Sequence, residues 1–136
     1  MKLVFITCDK PGGAQGDYLE VSTLNGLRKV LGDNCIDFPR KKIMYGDWSE
    51  VKKSDLHGRG FSLYNNSIPD IPINKRSLKN INAVLYGVNH ANLKRYSEID
   101  SLVSPDNIFF LDGNDLYGDA PVKFNFNNEY IIGNQF

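Results

Sequence analysis

His57 and His90 are the two histidines of the chain, and imidazole is the side chain best suited to general acid–base work near neutral pH. An enzymatic reading rests on one of them as base, with a carboxylate to orient the ring, and Asp112 is the partner for His90. Arg59 stands between Gly58 and Gly60. Glycines allow close approach of backbone to a ligand, and a guanidinium presents a planar fork to phosphate or carboxylate. A second glycine-rich stretch, Lys10-Pro-Gly-Gly-Ala-Gln-Gly16, includes Gly12 and Gly13, whose N–H groups suit an anion held at a helix start. The candidate catalytic pair is thus His90 and Asp112, and the candidate ligand-binding set is Gly12, Gly13, His57, Arg59, His90 and Asp112.

Other chemistries fit these residues poorly. A dinucleotide fingerprint would align Pro11, Gly13 and Gly16 with its three glycines and place Asp37 where an acidic ribose partner belongs. Proline at the first position fixes φ and has no N–H to donate, so the tight turn would have to be built differently. A phosphate-binding P-loop fails because no Gly-Lys-Ser/Thr follows. Cys8 lacks an arginine six residues on, as a cysteine phosphatase loop requires, and Cys8 and Cys35 form no C-x-x-C pair. Asp112, Asp115 and Asp119 do not match a twelve-residue calcium loop, and no metal is expected. No particular cofactor is indicated. Arg40, Lys41, Lys42, Lys52 and Lys53 make the one basic concentration. Such runs ordinarily form solvated faces.

The elements that must position these groups follow from periodicity. Lys2 to Thr7 is a continuous apolar run, the pattern of a parallel strand buried on both faces. After the glycine loop, Asp17 is a suitable N-cap, and Tyr18, Val21, Leu24, Leu27, Val30 and Leu31 recur at helical steps until Gly32. Cys35 to Phe38 is a second strand closed by Pro39, and a right-handed crossover makes the first two strands parallel. Ile81 to Tyr86 is the third strand, with Gly87 after it. Leu93 to Val103 is helical, with Pro105 as its stop, and Ile108 to Asp112 is the fourth strand. Val122 to Phe126 alternates as an edge strand does, and only residues 113–121 precede it. That is too short for a parallel crossover, so this segment is expected to be antiparallel or a covering piece. The expected fold is a three-layer, Rossmann-like α/β domain over residues 1–136. Its four parallel strands take the order 2-1-3-4, with helices on both faces and a possible fifth edge strand. Residues 40–73 form an irregular insertion, with a short helix expected in 48–56 and extended chain in 61–64. In such a sheet every candidate group lies at the carboxyl edge of the strands, where ligands bind near the switch point of the strand order.

Sixteen basic and sixteen acidic residues among 136 cancel, and 41% of the chain is hydrophobic. This composition belongs to a folded domain without the basic field that drives nucleic-acid binding, and no apolar run approaches the ~20 residues of a membrane span. With two cysteines and no secretion signal, a cytoplasmic setting is expected. Phe38, Ile43, Met44, Tyr45, Trp48, Phe61 and Tyr64 are more apolar material than a free loop needs. Either they fold over the domain's own core, leaving a monomer, or they anchor a homodimer.

The ordered combination of Asp17-Tyr18-Leu19, Gly26-Leu27-Arg28, Leu31-Gly32, Asp37-Phe38-Pro39, Met44-Tyr45, His57-Gly58-Arg59-Gly60-Phe61-Ser62, Leu85-Tyr86-Gly87 with His90, and Phe110-Leu111-Asp112-Gly113-Asn114-Asp115 resembles a poorly characterised family of bacterial glycosyltransferase-like proteins. These are associated with surface polysaccharides. The resemblance spans roughly residues 1–126 and implies the N-terminal Rossmann-like half of a two-domain arrangement. Leu116 to Pro121 stands where members tend to carry an aromatic and basic stretch, so that basic contact is absent here. A nucleotide or nucleotide-sugar is the implied ligand, bound without catalysis or together with a partner. A stand-alone glycosyl- or phosphosugar-processing enzyme is the alternative.

Overall fold

The computed structural model describes residues 1–7, 18–47, 68–88, 96–112 and 131–132. Its elements are β1 (Leu3–Ile6), α1 (Tyr18–Leu31), β2 (Cys35–Phe38), β3 (Ala83–Val88), α2 (Ser97–Asp100), β4 (Ile108–Asp112) and β5 (Ile131–Ile132), with short 3-10 turns including Lys42–Tyr45 and Ile73–Lys75. All strands are parallel and lie in the order β2-β1-β3-β4-β5. The expected 2-1-3-4 winding is therefore present.

Alternation along the strands divides the core in two. Leu3, Phe5, Cys35 and Ala83 face Val21 and Leu24 of α1 and the buried Ile43 and Met44 of the 3-10 turn. Val4, Ile6, Val84, Tyr86, Ile108 and Phe110 face Tyr96 and Ile99 of the α2 region. Layers on both sides explain the unbroken apolar strands, and burying each of Val21 and Leu24 contributes roughly 1.5–3 kcal/mol. On the α2 side, the Tyr86 hydroxyl donates to Asp100 Oδ1 at 2.6 Å and accepts from the Tyr96 N–H at 3.2 Å. The rings of Tyr86 and Phe110 stack with centroids 5.1 Å apart.

Helix α1 ends where the spacing places its end, at Gly32 with φ +57°, a left-handed conformation natural to glycine. Its buried face differs from the expected one. Val30 is 82% exposed, whereas Glu20 and Arg28 are buried. At ~100° per residue, Glu20 and Arg28 lie within ~40° of Leu24, while Val30 lies ~120° away. Helix geometry overrides side-chain polarity here.

Two further differences concern the strands. Gly87 continues β3 rather than ending it, pairing with Leu111. The strand that joins β4 is Ile131–Ile132, and it is parallel. Residues 113–130 give it a connection long enough for a parallel crossover. The segment Val122 to Phe126 lies outside the described residues, as do Asp17, Leu93, 48–56 and 61–64.

Strand β2 is an edge, yet its outer carbonyls are covered. Thr7 N–H donates to Phe38 O, so Cys35 and Asp37 direct their carbonyls outward. Arg28 Nη1 reaches Cys35 O at 3.5 Å, and Arg76 Nη1 reaches Asp37 O at 3.4 Å. Guanidinium groups thus stand where a neighbouring strand would donate, which blocks edge-to-edge pairing. Ile43 and Met44 are fully buried and Tyr45 is half-buried, so this portion of the insertion folds onto the chain's own core, beside the half-buried Phe38 that ends β2. Trp48, Phe61 and Tyr64 lie outside the described residues.

Candidate functional site

The strand order reverses between β1 and β3: the chain leaves β1 through α1 to β2 on one side and then returns to β3 on the other. The carboxyl ends of these two strands therefore bound the crevice where open α/β sheets take ligands. Thr7 follows β1 there, its hydroxyl donating to Pro39 O at 2.8 Å, and so ties the end of β1 to the chain leaving β2. The backbone register sets Asp112, the last residue of β4, beside Val88, the last residue of β3. Gly12, Gly13, His57, Arg59 and His90 lie outside the described residues.

Beneath this edge is a charged pair that the spacing did not suggest. Glu20, in the first turn of α1, is 1% exposed, and its carboxylate accepts from the ammonium of Lys41, which is 4% exposed. Burial of two opposite charges is tolerated only when each neutralises the other. Gly87 makes room for them. A Cβ at that position would stand 2.9 Å from Phe5 Cζ and 3.3 Å from Glu20 Cγ, so the Phe5 ring and the Glu20 stem fill the space a side chain would need.

A second polar cluster adjoins the end of β2. Asp37 is buried, and its Oδ2 accepts from the Lys41 N–H at 2.6 Å. Its Oδ1 accepts from the Tyr45 hydroxyl at 2.5 Å and from Arg76 Nη2 at 2.9 Å. Burial, then the Asp37 charge and hydrogen bond, push the Tyr45 phenol above its ordinary range, so it remains a donor. Arg76 also contacts Asp70 Oδ1 at 3.3 Å, and Arg40 contacts Asp70 Oδ2 at 2.5 Å. Burial works to raise the Asp70 pKa, but the hydrogen bond and charge of Arg40, with hydrogen bonds from Arg76 and the Ile71 N–H, hold the carboxyl below the usual range. Both guanidiniums lie over the Tyr45 ring, at 4.7 Å and 5.4 Å from its centroid.

No family model, curated protein or solved structure matches this chain.

The site is accordingly read from its own residues. Asp37 does not serve as a ribose acceptor, since both oxygens are occupied by protein donors inside the fold. Lys41 is not part of a solvated basic face, since Glu20 draws it inward. Arg40 is paired with Asp70. The sequence does carry one signal for the hidden pair: Glu20 and Arg28 fall on the apolar arc of α1, and a charge there requires a buried partner. Nothing local identifies that partner as Lys41, 21 positions away. At the amino edge, a groove of about 620 Å³ is lined by Asn25, Arg28, Lys29, Asp33 and Pro69 among others. Its arginine is engaged with main-chain carbonyls, Gly32 O at 2.6 Å and Pro69 O at 2.8 Å, as a closure of the helix end and the sheet edge. Among the described residues no set of three or more His, Cys, Asp or Glu gathers around a common point, and no helix is long and apolar enough to cross a membrane.

Proposed function

We propose that this chain binds a small anionic ligand, a nucleotide or nucleotide-sugar, in the crevice between the carboxyl ends of β1 and β3, and that it acts without catalysis of its own or together with a partner. The observation that carries the reading is the reversal of strand order at β1 and β3. In sequence, residues 8–17, with Gly12 and Gly13, join β1 to α1 at this reversal, and backbone N–H groups and the dipole at a helix start favour negative charge. The Glu20–Lys41 pair supports it: a lone carboxylate in the first turn would repel an anion, and Lys41 cancels that charge.

A thermal-shift panel of nucleoside diphosphates and nucleotide-sugars at millimolar concentration tests the proposal. A ligand at 100 times its Kd adds roughly 2.7 kcal/mol, which for a chain of this size raises Tm by roughly 5–10 °C. A panel without any shift refutes it.

The enzymatic alternative rests on the register of β3 and β4. Val88 and Asp112 are partners at the ends of their strands, and His90 follows Val88 by two residues in the sequence. Turnover of a nucleotide-sugar that is abolished by His90→Gln and by Asp112→Asn would favour it over simple binding.

A further inference from the structure

We propose that Arg40 and Arg76 form an oxyanion subsite beside the end of β2, held closed by the Asp70 carboxylate, and that its external ligand is a phosphate or pyrophosphate group. The subsite stands on its own residues and does not depend on the crevice reading.

Its construction is asymmetric. Arg76 is anchored from below: the buried Asp37 takes Nη2 at 2.9 Å and the Asp37 carbonyl takes Nη1 at 3.4 Å. Its side chain retains 16% exposure. Tyr45 is anchored by the same carboxylate, and its ring is a fixed plate over which both guanidiniums lie. A planar cation stacked on an aromatic loses little freedom when it binds, and its fork matches phosphate as well as carboxylate.

Asp70 occupies the place such a ligand would take. One oxygen meets Arg40 Nη2 at 2.5 Å and the other meets Arg76 Nη2 at 3.3 Å, so a single carboxylate bridges both arginines as an oxyanion would. That carboxylate is on the surface: the Asp70 side chain is 44% exposed and that of Arg40 is 35% exposed. An exposed ion pair of this kind contributes little to stability, ~0–1 kcal/mol, so its displacement costs little. With Asp70 withdrawn, two arginines face one buried carboxylate, Asp37, and the cluster carries a net positive charge. A phosphate dianion then brings more charge to the same forks than the carboxylate it replaces. Asp70 Oδ1 also accepts from the Ile71 N–H at 2.8 Å, and an amide oxygen at position 70 preserves that tie.

Pyrophosphate and inorganic phosphate are titrated into the full chain by calorimetry at constant ionic strength. Asp70→Asn is expected to bind pyrophosphate at least tenfold more tightly than the unaltered chain, and Asp70→Ser to behave alike. Asp106→Asn, which makes the same charge change on an exposed residue before β4, is expected to leave affinity unchanged. Asp70→Asn combined with Arg40→Gln is expected to lose the gain. Equal affinity in the unaltered chain and both Asp70 variants overturns the proposal, as does a gain that survives Arg40→Gln or is reproduced by Asp106→Asn. Because the Asp70 variants alter neither the crevice nor its glycine loop, a silent nucleotide panel alongside a tenfold pyrophosphate gain separates failure of the crevice reading from failure of this one.

Discussion

Replacing Lys41 by methionine leaves the Glu20 carboxylate in place, 1% exposed, with its cation gone. Breaking a buried ion pair from one side costs about 3–5 kcal/mol, because the remaining charge stays buried without its counter-ion. Against a total stability of roughly 5–15 kcal/mol for an ordinary domain, that is about a fifth or more of the whole. The reciprocal change, Glu20→Met, strands the ammonium and is expected to cost a similar amount. The double variant removes both charges and fills the volume with apolar chain, so it is expected to lie within about 2 kcal/mol of the unaltered protein and to be more stable than either single variant. Urea denaturation measures all four proteins. With an m-value of roughly 2 kcal/mol/M, each single change lowers the midpoint by about 1.5–2.5 M, and the double change by less than about 1 M. Additive losses in the double variant, or a Lys41→Met loss below about 1 kcal/mol, would refute a dry, coupled pair and return Lys41 to the surface.

Two glycines are expected to respond to alanine in opposite directions. Gly87→Ala forces a Cβ to within 2.9 Å of the Phe5 ring and is expected to cost about 1–3 kcal/mol in a urea melt, whereas Gly26, exposed in the middle of α1 with nothing within 4 Å of an added Cβ, is expected to gain about 0.5–1 kcal/mol. The thiol of Cys35 is pushed up to about 12, first by burial and then by the charge of Asp37. Its folded pKa is raised above the ~8.5 of an unfolded cysteine, so the folded protein keeps a proton that the unfolded chain releases, and stability falls as pH rises above that point. Between pH 9 and pH 10 the loss from this group approaches roughly 1.4 kcal/mol per pH unit, and Cys35→Ala is expected to flatten the wild-type curve by that slope; identical slopes refute the assignment.

The sequence by itself determined the parallel α/β architecture, because the information is local. Continuous apolar runs at Leu3–Ile6 and Ile108–Leu111 mark strands buried on both faces, and the three- and four-residue spacing to Leu31, stopped by Gly32, marks α1. Handedness of the crossover then orders the strands, and of the candidate set expected at the carboxyl edge the described residues include Asp112, at the end of β4. Tertiary structure decided what depends on who stands opposite. Gly87 reads as a terminator from its flanks, yet it continues β3 by pairing with Leu111, and Phe5 and Glu20 occupy the space a side chain there would need. Asp37 has the position of a ribose acceptor and instead binds Tyr45, the Lys41 amide and Arg76, the last 39 positions away. Lys41 stands in a run of three basic residues, Arg40 to Lys42, and only the approach of α1 to the end of β2 turns it toward Glu20. Periodicity reports how a segment meets the core as a whole, whereas charge pairing depends on distances between segments remote in the chain, and those distances exist only once the sheet is assembled.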